Sequence, residues 1–118
     1  MSFRKDILNL ENSFNKIGIP TQEGIVFVNI QEITYCKAEG AYTNVYLTSG
    51  KKFLVTKTLK NFQKQLAHSN FRRTHRSFFV NMSFVEKFEN GKNGCLILND
   101  RTVIPVSRRM RSEALNGI

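Results

Sequence analysis

The sequence predicts a mainly β domain with short helices, and three observations carry that expectation. Runs of β-branched and aromatic residues recur between turn signals, as at residues 24–30 and 42–48. Helical spacing of apolar residues is confined to short stretches. The chain's 118 residues are 41% hydrophobic and include only two prolines and seven glycines, a composition suited to one packed domain.

At the N-terminus, Phe3, Ile7, Leu10, Phe14 and Ile17 fall at three- and four-residue intervals, the apolar stripe of an amphipathic helix. Gly18 and Pro20 would stop it. Residues 1–18 are therefore expected as an N-terminal helix or linker, ahead of a domain over residues 19–118. Beyond Pro20 the period changes. Residues 24–30 and 33–38 read as strands, Glu39-Gly40-Ala41 as a turn, and residues 42–48 as the next strand. Ser49-Gly50 is a tight hairpin signal that returns the chain through residues 51–56.

Thr58 is placed to cap a helix over residues 59–66, with Leu59, Phe62 and Leu66 on one face. An apolar stretch at 77–81 follows a basic segment. Strands at 83–88 and 94–98 flank a polar loop, and Asn99-Asp100 turns into residues 101–105. Ser107 reads as the cap of a last helix containing Met110 and Leu115.

Several classes are disfavoured. No apolar run approaches the roughly 18 residues that cross a bilayer. The first six residues carry charges of both signs where a secretory segment would begin. A cytoplasmic protein is expected, with Cys36 and Cys95 as free thiols and no membrane partner. Cys36, His68, His75 and Cys95 have neither a C-x-x-C pair nor closely spaced histidines, so neither a zinc module nor another cofactor is expected. No phosphate-cradling glycine pattern or paired carboxylate offers catalysis, and the chain reads as a non-enzyme.

Charge supplies the first functional clue. The net charge is +9, yet residues 1–49 hold four basic and five acidic side chains, whereas residues 50–118 hold fourteen basic and four acidic. Such asymmetry points to a polyanion, most simply nucleic acid. Two clusters concentrate it. Arg72, Arg73, His75 and Arg76, with Thr74 and Ser77, adjoin the apolar anchor Phe78-Phe79-Val80. Arg108, Arg109 and Arg111 open the last helix. Arginine forks suit guanine edges and phosphates, and hydroxyls suit phosphate oxygens.

His75-Arg76-Ser77-Phe78-Phe79-Val80-Asn81 resembles the "HRSyiVN" signature of the LytTR-type DNA-binding domain of bacterial response regulators and transcriptional regulators. Other motifs agree in order. Residues 33–40 followed by Tyr42 resemble its "I-x-y-i-e-a-e-g" strand, and Lys57-Thr58-Leu59 its "k-T-L" helix start. Phe71-Arg72-Arg73 resembles its "F-x-r", and Ile104-Pro105-Val106-Ser107-Arg108 its "i-P-v-S-r". The likeness covers about residues 20–115.

The resemblance implies an elongated β-sandwich of short antiparallel sheets with two short helices besides the N-terminal one. It also implies loops and a helix N-terminus that read successive major grooves of double-stranded DNA at direct repeats, with a second copy bound in tandem. Matched position by position, His75, Arg76 and Arg108 would read bases, joined by Arg109 beside them. Lys57 and Ser77 would contact phosphates, as would Arg73 and Arg111 from the same clusters. The hairpin tip forms a third contacting loop. There Ala41 replaces the family's usual Asn, so Tyr42, Thr43 or Asn44 would contribute instead.

Residues 1–18 are too short for a receiver domain, so the module is expected either to stand alone or to be the output part of a regulator signalled by a sensor kinase or receiver. Two alternative readings share the size and charge. One is a non-specific single-stranded nucleic-acid-binding small β-barrel; the other is a module docking on an acidic protein or membrane. Phe62, Phe71, Phe78 and Phe79 fit packing positions rather than base-stacking platforms, which favours duplex DNA.

Overall fold

The computed structural model describes residues 15–66 and 69–115. Their backbone is built on antiparallel pairing throughout. Strands β1 (Lys16–Thr21) and β2 (Gly24–Asn29) form a hairpin. The central sheet contains β3 (Ile33–Glu39), β4 (Tyr42–Leu47), β5 (Lys52–Val55), β6 (Phe71–His75) and β7 (Phe78–Asn81) in the order β5-β4-β3-β7-β6. A third sheet, β8 (Val85–Glu89), β9 (Cys95–Leu98) and β10 (Val103–Pro105), has the order β10-β9-β8. Helix α1 (Leu59–Lys64) joins β5 to β6, and α2 (Arg111–Ala114) follows a 3-10 turn at Arg108–Met110. The molecule is elongated, 54 × 34 × 23 Å.

Alternation along the central strands sends side chains into two cores. Cys36 of β3 and its cross-strand partner Phe79 face one side, with Val45 and Phe71, against α1 and the β1–β2 hairpin. Tyr35, Phe78 and Val80 face the other, against Leu96, Leu98, Ile104, Val106 and Ala114. The central sheet is thus the middle layer of a sandwich. Phe62, Phe71 and Phe79 are buried, and Phe78 is half-buried against the second core.

Six residues make α1 too short to hold itself together in water. It persists because Thr58 Oγ1 accepts the Asn61 N–H at 3.2 Å, and because Leu59 and Phe62, with Leu66 just beyond, bury their side chains in the first core.

Several sequence expectations change. Of the helix expected over residues 3–17, residues 1–14 lie outside the described residues, but Lys16 and Ile17 are strand, not helix. Ile17 and Ile19 alternate inward and are both buried. Gly18, between them, faces Phe27 across the hairpin, where an added Cβ would come within 3.3 Å of its ring. Pro20 is tolerated because β1 pairs on one side with a single strand, and its carbonyl accepts the Thr56 N–H at 3.0 Å. Strand backbone therefore begins ahead of residue 18.

The strand expected from residue 83 starts at Val85 instead. Asn81 Oδ1 accepts the Ser83 N–H and curls Met82–Phe84 into a 3-10 turn, while Asn81 Nδ2 donates to the Ile33 carbonyl. The alternative of a small closed barrel is also corrected, because the strands divide among three separate sheets.

Cys36 is fully buried in β3, and loss of solvent pushes its thiol far above the ordinary range, whereas Cys95 is partly exposed. Iodoacetamide should therefore modify Cys95 first and reach Cys36 only as denaturant unfolds the domain. Mass spectrometry of the labelled peptides checks this; equal labelling rates in the folded protein would contradict it.

Candidate nucleic-acid interface

The β6–β7 hairpin carries His75, Arg76 and Ser77 at one end of the central sheet. The ladder pairs Arg73 with Phe79 and His75 with Phe78, leaving Thr74 as an extra residue. Such a bulge turns its peptide groups out of the ladder. The Thr74 carbonyl accepts the Ser107 N–H at 2.9 Å, so the start of the last helical segment is hung directly on the β6–β7 hairpin. Ser107 in turn caps its own turn, its Oγ accepting the Met110 N–H at 3.2 Å. This peptide hydrogen bond helps to make neighbours of the two cationic clusters, which lie more than thirty residues apart in the chain.

Side chains shape the hairpin turn. His75 Nδ1 accepts the Ser77 N–H at 3.1 Å, so a neutral imidazole carries its hydrogen on Nε2, a donor suited to guanine O6 or N7. The ring rests edge-on against Phe78, with centroids 5.8 Å apart. The Ser77 carbonyl accepts the Ala38 N–H at 2.8 Å, tying the turn to the end of β3. Arg73 is half-buried beneath it. Its Nε donates to the His75 carbonyl at 3.0 Å, one terminal nitrogen to Gln63 Oε1 at 2.6 Å, and the other to the Arg76 carbonyl. Burial lowers the Arg73 pKa, and the Glu113 carboxylate partly opposes that effect. Arg76 itself is exposed.

The β3–β4 turn lies at the same end of the sheet, with Gly40 at φ 61° in the left-handed region. Of the tip residues expected to contribute, only Tyr42 is exposed. Thr43 is buried and its Oγ1 donates to the Lys57 carbonyl at 2.9 Å; Asn44 is buried and its Nδ2 donates to Glu39 Oε1 at 3.1 Å. Both side chains are consumed inside the domain, which corrects their expected availability at the tip. The Thr43 bond holds Lys57 near this end, where its ammonium donates to Gln65 Oε1 at 3.1 Å.

Arg108 and Arg109 are exposed on the 3-10 turn. Arg111 is half-buried, its guanidinium 5.0 Å from the centroid of the Phe88 ring, which it covers. Arg72 donates to the Ala114 carbonyl at 3.2 Å, fastening α2 to β6. Between α1, β6 and the last helical segment lies a groove of about 730 Å³ lined by Lys60, Lys64, Arg73 and Arg109, with Glu113 opposing them.

Two residues of this region escaped the sequence reading. Lys37, exposed on β3, lies opposite Phe78 with its ammonium 5.7 Å from the ring centroid. Gln63 anchors Arg73. Strand alternation offers a signal for Lys37, whereas nothing in the local sequence marks Gln63. Among the described residues, no group of three or more His, Cys, Asp or Glu could hold a metal ion, and no helix is long and apolar enough to cross a membrane. His68 lies outside them.

A rigid β scaffold that gathers exposed arginines and oriented donors at one end defines a domain that binds a polyanion. Residues 23–116 match the family described as LytTr DNA-binding domain. The chain is 33% identical over 115 residues to "Sensory transduction protein LytT" of Bacillus subtilis (strain 168), covering 92% of this chain and 47% of that protein. It is 32% identical over 95 residues to "Transcriptional regulatory protein YpdB" of Escherichia coli (strain K12), covering 78% and 38%.

In fold it is similar to the LytTr DNA-binding domain of a putative methyl-accepting/DNA response regulator from Bacillus cereus. That match has a TM-score of 0.74 at 23% identity and covers 88% of this chain and 98% of that one. The chain belongs to the LytTR family of DNA-binding domains, a family of regulator modules and not of enzymes. It spans less than half the length of LytT and YpdB, the two regulators it matches in sequence.

Proposed function

We propose that the chain binds double-stranded DNA sequence-specifically to regulate transcription in the cytoplasm. His75, Arg76, Arg108 and Arg109 read base edges, while Lys57, Ser77 and Arg111 hold phosphates. The β6–β7 turn and the start of the last helical segment enter successive major grooves, and two copies bind direct repeats in tandem. Because its relatives are about twice as long and one is named for sensory transduction, the module is the output part of a regulator driven by a receiver or sensor kinase. The observation that carries this reading is the Ser107–Thr74 peptide hydrogen bond, which supports both arginine clusters acting on one ligand.

In vitro selection from random duplexes supplies the test. The chain is expected to enrich a common sequence and to bind the selected duplex more tightly than either separate strand. Equal or tighter binding to single strands would remove the duplex-reading proposal. Lys57→Ala is expected to weaken selected and random duplexes alike and to reduce the salt slope by about one. Gel shifts across a salt series measure both effects.

A further inference from the structure

We infer that Arg73 is a positioning residue that moulds the His75-Arg76-Ser77 turn, rather than a contact to the phosphate backbone; this rests on the base-reading role proposed for that turn. A hairpin loop of two residues is normally supplied with Gly or Asn in the left-handed region, which lets the backbone reverse without help from outside. Arg76 and Ser77 are neither, and among the described residues the only non-glycine with positive φ is Arg101. The turn is therefore not the left-handed kind that Gly or Asn supplies, and side chains bind its backbone.

His75 Nδ1 takes up the Ser77 N–H, and the Arg73 fork takes up the carbonyls of both His75 and Arg76. The remaining arm of the fork reaches Gln63 on α1, a helix packed on the first core through Phe62. Three of the five guanidinium N–H donors are thus spent inside the protein. The planar fork spans the two carbonyls and the glutamine together. A lysine ammonium keeps the charge but lacks that geometry.

The substitution Arg73→Lys separates the two roles because it preserves the charge a phosphate would feel. Affinities for a duplex selected with the wild-type chain and for a random duplex of equal length are measured across a salt series, together with Ser77 amide exchange in the free protein. For Arg73→Lys, discrimination between the two duplexes is expected to fall about tenfold. Random-duplex affinity and its salt slope should hold, and Ser77 should exchange faster. Gln63→Ala, which leaves Arg73 in place, should shift discrimination in the same direction with an unchanged melting temperature. That keeps the test valid if Arg73→Lys weakens the fold.

Undiminished discrimination in Arg73→Lys, or loss of it only in proportion to random-duplex affinity, would overturn the positioning role. Undiminished discrimination in Gln63→Ala would do the same. His75→Ala and Arg76→Ala report on the underlying reading. If they lose discrimination while the other two keep it, positioning alone fails. If they keep it, the turn reads no bases and the inference falls with the reading beneath it.

Discussion

Arg108→Ala should cost about 1–3 kcal/mol on a selected duplex and relax the preference at one base position, while binding to random duplex stays close to wild type. Arg108 is the first residue after the Ser107 cap, exposed on a turn whose backbone is fixed at both ends. Ser107 N–H is bound to the Thr74 carbonyl, and Ser107 Oγ accepts the Met110 N–H. Its loss therefore removes a guanidinium without disturbing the scaffold. Contrast with Lys57→Ala is the decisive comparison, because the phosphate role proposed for Lys57 would serve every sequence equally. Binding curves on selected and random duplexes at matched salt check it; parallel losses on both would assign Arg108 to the phosphates instead.

Phe62→Ala should lower folding stability by about 3–5 kcal/mol, the usual cost of emptying an aromatic site in a packed core. The ring is completely buried and is the principal apolar attachment of α1, with Leu59 and Leu66 beside it. Urea unfolding should show a lower midpoint with an unchanged slope. A loss below about 1 kcal/mol would mean that α1 contributes little to the first core. The same variant tests the route from core to turn, because α1 carries Gln63 and Gln63 holds Arg73.

Much of the fold is legible in the sequence because most strands advertise themselves by β-branched runs bounded by turns. Strand β1 does not. Ile17 sits at helical spacing from Phe14, and Gly18 and Pro20 read as breakers, yet in the strand Gly18 leaves room where the Phe27 ring crosses and Pro20 is tolerated where pairing is one-sided. The two cationic clusters are legible as charge, and the motif resemblance attaches roles to His75, Arg76 and Arg108. Which side chains stay available is not legible. Thr43 and Asn44 follow one another on β4 and should face opposite ways, one of them outward, but both are buried and hydrogen-bonded within the domain. Arg73 looks like one more cation until the tertiary structure directs its fork at the adjoining turn and at α1.

On the proposed reading, the Thr74 bulge makes the domain a ruler. A one-residue irregularity in β6 ties the hairpin turn to the Arg108 turn by a backbone bond, and the Arg72 bond to the Ala114 carbonyl fastens the same segment a second time. If both turns address bases as proposed, one base pair inserted between those bases would displace one of them by about 3.4 Å along the duplex and rotate it by about 34–36° around the axis. On that proposal, binding is expected to survive substitutions within a site far better than changes in its length.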